Sequence, residues 1–430
     1  MTRIAIILGR GTEGCGVTQC AIQMQKVTDA DIFSAVDKKW GRAKGLEIDQ
    51  KEFVMGTQWE LTADTINSMY DLAIIYSVPS KSHPQDCQDN FVPFLKRLKI
   101  RKAFINVDHK AASIARNANL KEVCENVDVI MTHSLENDFS KFMKKHKIQT
   151  PLTKMGLGFD YDNHRQKYWR PIEEQQHNMV RWIGRTAMWK GPSLMIDFHQ
   201  DALMDQGFIT VLEGLEASIQ YPLVLFLEGL EASIQYPLVL YRDNKEENPV
   251  DRRIVENHFR PEKKFNEVKF TSDLYGKEQT NKGAYLYPQY INNEAMMRMA
   301  RSAFGSDLYF LKAEHYGNNI ENCHAECIAS GTVPLFHKHF CDNVIHPVQG
   351  DPISQCNNSG TLGVDYTNFK ECQEIMTKLK NDPSMRDDWR EMAFEFWRQH
   401  SNGKDVVNEI IDLAINTTEN QPQGLEEFFV

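Results

Sequence analysis

Two cations five residues apart, Arg185 and Lys190, stand in the segment Arg181-Trp-Ile-Gly-Arg-Thr-Ala-Met-Trp-Lys-Gly191. An apolar, strand-like lead runs into Gly184, and a helix-like apolar pattern begins at Met195. A strand-to-helix junction offers unsatisfied N–H groups and the positive end of a helix dipole, and the two side chains add full charge and further donors. That is the chemistry a diphosphate leaving group needs, because negative charge grows on its oxygens as the bond to it breaks. A solvated surface loop has the same composition, so the pair gains meaning only from what accompanies it.

Near the N-terminus the apolar run Ile4–Leu8 enters a loop with glycines at 9, 11, 14 and 16. Such a loop lets the backbone approach a ligand closely and adopt φ > 0 where a turn needs it. Its spacing is not Gly-x-Gly-x-x-Gly followed by an acid on the next strand, and Gly-Lys-Ser/Thr is absent. A dinucleotide-dependent oxidoreductase is therefore the weaker alternative, as is a P-loop NTPase. A third feature is Glu321-Asn-Cys-His-Ala-Glu-Cys-Ile-Ala-Ser-Gly-Thr-Val-Pro-Leu335, in which Glu326 lies on a short predicted helix ended by Gly331.

This third segment resembles the Glu-Ala-x-Ala-x-Gly-x-Pro-Val signature of the GT-B nucleotide-sugar glycosyltransferases. A more specific likeness follows from the order of short motifs. Gly9–Thr18, Ser77-Val-Pro79, Asp108-His109, His133-Ser134 with Asp138-Phe139, Arg181–Gly191, Asp197-Phe-His199, Glu213-Gly-Leu-Glu216 and Glu321–Pro334 occur in sequence. In that order they resemble the DNA α-glucosyltransferases of T-even bacteriophages, over nearly the whole chain.

The resemblance implies an α/β fold of the GT-B kind, two Rossmann-like doubly wound domains facing a central cleft. It implies a retaining transfer of sugar from a UDP-sugar to the hydroxyl of 5-hydroxymethylcytosine, or hydroxycytosine, in double-stranded phage DNA, protecting that DNA from host nucleases. Arg185 and Lys190 would stabilise the leaving diphosphate, and Gly11, Gly14, Cys15 and Gly16 would cover it. Glu213 and Glu216 would line the uridine side, Glu321 and Glu326 the donor pocket, with Glu326 on the ribose hydroxyls. Asp108, beside His109, would orient the acceptor hydroxyl or take its proton. No metal or other cofactor is implied, and the enzyme would act in the cytoplasm of the infected host. The family pattern carries His-Asp-His where this chain has Val107-Asp108-His109. The lost imidazole leaves arabinose, the sugar of a related phage DNA arabinosyltransferase, as the alternative to glucose. A non-catalytic DNA-binding protein on a degenerate transferase fold is a further alternative, disfavoured by the joint presence of Arg185, Lys190 and Glu326.

The 430 residues suffice for two or three domains with real cores, and no apolar run reaches transmembrane length. The 9 cysteines show no framework spacing and read as reduced thiols. A zinc site built from Cys323, His324, Cys327, His337, His339 and Cys341 fits no standard spacing. The net charge of −10 conceals an asymmetry: residues 1–170 hold 25 Lys/Arg against 20 Asp/Glu. Within them the basic residues cluster at Lys38–Lys44, Lys96–Lys102 and Lys141–Lys147. Lys99, Lys102, Lys144 and Lys145 are accordingly expected to follow DNA phosphates on the acceptor side.

Strands are predicted at Ile4–Leu8, Leu72–Tyr76, Ala103–Val107, Val127–Thr132, Phe208–Leu212 and Thr332–Phe336. Short buried strands separated by helical patterns read as parallel sheets. Helices are predicted at Asn293–Phe304, Cys323–Ser330 and Tyr366–Lys380. The domain expectation is 1–170 for acceptor and DNA, 171–386 for the nucleotide-sugar, a helix over 387–415 crossing back to the first domain, and a flexible tail, 416–430. Residues 211–225 recur as 226–240 with one difference, Val211 against Phe226, which is too few copies for a solenoid. The first copy is preferred as native, because it continues directly from Thr210. In the tail, Leu425, Phe428 and Phe429 resemble the Leu-x-x-Phe-Phe core of sliding-clamp-binding peptides, which implies the phage clamp as a partner.

Overall fold

Ile4–Leu8 (β1) is five consecutive buried apolar residues, as a strand covered on both faces requires. Ile4, Ile6 and Leu8 pack on one side of the sheet with Ala21, Met24, Val407 and Ile410, while Ala5 and Ile7 pack on the other with Ala63, Phe91 and Phe139. The computed structural model describes residues 2–9, 16–35, 50–52, 58–108, 111–156, 158–184, 191–214, 238–241, 268–270, 284–287, 292–308, 322–344, 352–356 and 358–417. The described residues up to Asp160 and from Ser401 onward form one compact unit, and those from Tyr161 to His400 form the other.

The first unit holds β1, β2 (Asp31–Ser34), β3 (Gln50–Glu52), β4 (Leu72–Ser77), β5 (Arg101–Asn106), β6 (Val129–Thr132) and β7 (Leu152–Lys154). All pair in parallel, in the order β3-β2-β1-β4-β5-β6-β7. The chain therefore winds outward in both directions from β1 and β4, and their carboxyl ends flank a topological switch point. Helices Gly16–Thr28 and Gly403–Asn416 cover one face; Trp59–Met69, Gln85–Arg97, Leu120–Glu125 and Asp138–Lys145 cover the other.

The second unit holds β8 (Gln176–Gly184), β9 (Ile209–Gly214), β10 (Leu238–Tyr241), β11 (Val268–Phe270), β12 (Ala284–Tyr287), β13 (Ser302–Asp307), β14 (Val333–His337) and β15 (Leu362–Val364). They too are parallel, in the order β11-β12-β10-β9-β8-β13-β14-β15, with β8 at the point of reversal between β9 and β13. Both sheets are thus doubly wound α/β structures, as expected.

Three expectations change. The helix predicted over Asn293–Phe304 stops at Ala300, and Ser302–Asp307 is a central strand. Its Ser-Ala-Phe-Gly-Ser-Asp sequence lacks a run of β-branched residues because the helix behind it packs too closely. A Cβ on Gly305 would meet Thr332 Oγ1 at 2.2 Å and Cys327 Cβ at 2.9 Å. The helix expected over 387–415 is two helices, Pro383–His400 and Gly403–Asn416. Between them the Phe159 N–H donates to the Ser401 carbonyl and the Gly403 N–H to the Phe159 carbonyl (3.0 and 2.8 Å), so these backbone groups are unavailable to a continuous helix. The first of the two stays with the second unit, and the second packs on the helix Gly16–Thr28 and on β5 of the first unit. Tyr161–Tyr168, placed by the sequence within 1–170, also belongs to the second unit. There Arg165 donates to both Glu391 oxygens at 2.6 Å and stacks 4.0 Å from the Trp169 ring centre.

The duplicated segment is divided between two neighbouring strands. β9 takes Val211–Gly214 from the first copy, and β10 takes Leu238–Leu240 from the end of the second, with Val211 paired to Val239. Among the described residues no helix is long and apolar enough to cross a membrane.

Gly331 closes the helix Asn322–Ala329 at φ +81°, and a Cβ there would stand 2.8 Å from the Trp169 ring. Gly331→Ala is expected to lower unfolding stability by about 2–4 kcal/mol, through left-handed backbone strain plus the clash. A denaturant midpoint equal to the parent's would contradict this.

Candidate active site

In the first unit β2, β4, β5 and β6 each end in a small polar residue: Ser34, Ser77, Asn106 and Thr132, all buried. Apolar strands that finish polar on one edge are what a ligand crevice beyond the carboxyl ends requires. At the switch point the Gly9 N–H donates to the Ser77 carbonyl (3.0 Å), and a Cβ on Gly9 would lie 2.4 Å from that oxygen. Gly9 is therefore glycine because two backbones meet there. Gly16 opens the helix Gly16–Thr28, so the Gly-rich loop joins β1 to a helix N-terminus.

Asp108 follows β5 on the same edge and is half-buried. Asn117 Nδ2 donates to its Oδ2 at 2.9 Å, and Asn106 Nδ2 donates to its backbone carbonyl at 2.8 Å. Asn117 is itself buried and tied to Ser80 by a backbone bridge. These two asparagines were missed by sequence reasoning, since an asparagine in Arg116-Asn-Ala-Asn119 carries no distinguishing pattern. His133 follows β6 beside this position, and burial pushes its imidazole down to about 4, so it is neutral at neutral pH.

In the second unit the reversal point lies at the end of β8. Gly184 pairs with Gly214 of β9, which places Glu213 one residue from the same edge, opposite Ile183. Gly191, at φ +65°, packs so closely on the chain just beyond β13 that a Cβ would stand 2.2 Å from the Leu308 carbonyl oxygen. The described neighbours of Arg185 and Lys190 thus meet β9 on one side and the end of β13 on the other. Glu326 is half-buried on the helix Asn322–Ala329, which ends against His164 through the Ser330 hydroxyl (3.0 Å) and against Trp169 through Gly331.

Arg185, Lys190, Gly11, Gly14, Cys15, Glu216, Glu321, His109 and the tail residues Leu425, Phe428 and Phe429 lie outside the described residues. Lys99 and Lys102 precede or begin β5, and Lys144 and Lys145 end the helix Asp138–Lys145, which runs back from the end of β6. Lys99 and Lys102 therefore sit at the amino-end edge of the first sheet, on the order of 20 Å from Asp108 for a six-residue strand, and Lys144 and Lys145 lie about 10 Å back along their helix from Asp138 at its start. The structure does not bring them together with Asp108. The six residues weighed as a zinc site are dispersed by packing: His324 stacks on Phe336 and Phe340, and Cys327 and Cys341 are buried. Among the described residues no group of three or more His, Cys, Asp or Glu side chains could hold a metal ion.

Burial also pushes His337, at the end of β14, down to about 4, with His339 adding to the effect. A histidine depressed in the folded state binds its proton more readily when unfolded, so acid favours unfolding. Stability is expected to be full above the ordinary value of 6.5 and to be lost as the pH falls towards 4, through His133 and His337. Thermal melting across that window checks this, and a melting temperature flat over it would contradict it.

Comparison with known proteins fits this geometry. A DNA alpha-glucosyltransferase of Enterobacteria phage T4 is 29% identical over 441 residues, covering 96% of this chain and 99% of its own. A solved alpha-glucosyltransferase in complex with UDP-glucose and DNA containing an abasic site superposes with a TM-score of 0.81 at 27% identity, covering 96% of this chain and 99% of that one. An alpha-glucosyltransferase in complex with UDP and a 13-mer DNA containing a HMU base gives 0.75 at 27% identity, with the same two coverages. The family profile described as DNA alpha-glucosyltransferase matches residues 15–246 and 274–384, so the chain belongs to the DNA alpha-glucosyltransferase family.

Proposed function

We propose that the protein transfers glucose from UDP-glucose to the hydroxyl of 5-hydroxymethylcytosine in phage DNA, with retention at the anomeric carbon, inside the infected bacterium. The observation that carries this reading is the near-complete mutual coverage with a phage DNA alpha-glucosyltransferase. Complexes of similar enzymes with UDP-glucose and DNA support the donor and the polymer. Arg185 and Lys190 stabilise the charge that develops on the β-phosphate as the glycosidic bond breaks, with no metal required. The Gly11–Gly16 backbone, including Cys15, covers the diphosphate; Glu213 and Glu216 line the uridine side, and Glu321 and Glu326 the ribose side.

Asp108 accepts the hydrogen bond or proton of the acceptor hydroxyl. Asn117 Nδ2 donates to the Asp108 carboxylate and so holds its orientation. The target base is stacked in a duplex, so it must be extruded or its groove widened. That costs a few kcal/mol, offset by contacts to the DNA backbone. The clamp-docking reading of Leu425, Phe428 and Phe429 is a separate proposal, tested by deleting residues 424–430. Loss of co-migration with the clamp, with activity on oligonucleotides intact, supports it; unchanged co-migration overturns it.

Glu326→Ala is expected to raise KM for UDP-glucose about 10- to 100-fold with kcat nearly unchanged. The ribose is bound alike before and during the reaction, and one or two charge-assisted hydrogen bonds disappear. Steady-state kinetics with varied donor give the answer; a fall in kcat at constant KM would move Glu326 into the chemistry. The acceptor assignment is tested by UDP release with 5-hydroxymethylcytosine DNA against unmodified DNA of the same sequence. Release dependent on the hydroxymethyl group supports the proposal, and equal release from both refutes it.

A further inference from the structure

The basic residues that the fold carries away from Asp108 gather along one half of the amino-end edge of the first sheet. Lys96 ends the helix Gln85–Arg97, Lys99 and Lys102 lead into β5, and Lys144, Lys145 and Lys147 close the helix and turn before β7. The segments are neighbours. The Lys102 N–H donates to Asp128 at the head of β6 (2.6 Å), and the Ile130 N–H donates to the Pro151 carbonyl just before β7 (2.8 Å). Strands stand about 4.8 Å apart, so β5 and β7 are roughly 10 Å apart.

The carboxylates along this stretch are already engaged. Asp71 pairs with Arg3 at 3.2 Å, Asp64 with Arg97 at 2.7 Å and Glu125 with Lys121 at 3.6 Å, while Asp128 accepts the Lys102 N–H. Glu122, and Asp412 near the end of the helix Gly403–Asn416 that meets Arg101 through Ala414, have no such pairing among the described residues. None of Lys96, Lys99, Lys102, Lys144, Lys145 and Lys147 has an ion-pair partner there, and all but Lys102 are exposed. Six of the 25 Lys/Arg of residues 1–170 therefore lie on this side of the first sheet, away from its Asp108 edge.

We propose that this edge is a second DNA-binding surface, which holds the phosphate backbone of a duplex stretch remote from the one whose base lies at Asp108. Clustered ammonium groups outside ion pairs bind phosphate through counterion release and carry no sequence information. On long DNA such a surface keeps the enzyme associated between successive target bases. The inference rests on the reading of the chain as a DNA-acting transferase, and the two substrates below separate its failure from the failure of that reading.

The test is Lys96→Glu with Lys147→Glu, assayed on a 13-mer duplex, the length bound by a solved relative, and on long linear duplex, both carrying 5-hydroxymethylcytosine. On the 13-mer, kcat/KM stays within about twofold, which also shows that the variant folds. On long DNA the KM rises about tenfold, and its salt slope falls by about one for each phosphate that the edge no longer binds. Adding Lys99→Glu and Lys145→Glu deepens the long-DNA effect. An unchanged KM and salt slope on long DNA overturns the proposal, and so does an equal loss on both substrates, which would return these lysines to the reacting site. No transfer to either substrate by the parent enzyme would instead fail the transferase reading.

Discussion

Arg185→Ala and Lys190→Ala are each expected to lower kcat by about 10²–10³-fold, a loss of about 3–4 kcal/mol of transition-state stabilisation. The two cations follow and precede Gly184 and Gly191, which the structure fixes at β9 and beyond β13, on either side of the reversal point of the second sheet. A diphosphate there gains charge only as the bond to the sugar breaks, so the penalty falls on kcat more than on donor KM. Charged phosphate ligands add little to core packing, so the melting temperature is expected to change little. Near-parent kcat in both variants would remove the pair from the catalytic account.

Asp108→Asn is expected to reduce transfer by about 10²–10⁴-fold, while UDP affinity changes by no more than a few-fold. The amide keeps the shape of the carboxylate and an oxygen that Asn117 Nδ2 can still reach, so the loss isolates the charge and basicity of Asp108. Calorimetry with UDP beside single-turnover transfer gives both numbers. Weakened UDP binding with unchanged transfer would place Asp108 on the donor side instead.

The positions of the strands that build the two ligand edges were legible in the sequence, because Ile4–Leu8, Leu72–Tyr76 and Val333–Phe336 are short apolar runs bounded by glycine or polar residues. β13 was not legible. Its small residues answer to the helix packed on them, which is a tertiary demand that local propensity does not encode. The break at Ser401–Asn402 was hidden for the same reason: the competing partner, Phe159, is more than two hundred residues away. Among the candidate residues, Asp108 and Glu326 are named by the family resemblance, whereas Asn117 and Asn106 are not, since their bonds to Asp108 exist only once β5 and the following loop have folded. The lysines show the converse. Their clustering was visible, but the direction of each strand and helix decides which edge they occupy. Periodicity does not report that until the sheet order is known.

The central claim is tested most directly by mass spectrometry of nucleosides from 5-hydroxymethylcytosine DNA incubated with the enzyme and an equimolar mixture of UDP-glucose and UDP-arabinose. The account predicts a product carrying one hexose on the modified cytosine, absent when UDP-glucose is omitted and strongly reduced in Asp108→Asn. A pentose adduct as the main product, or unmodified nucleosides only, would contradict it.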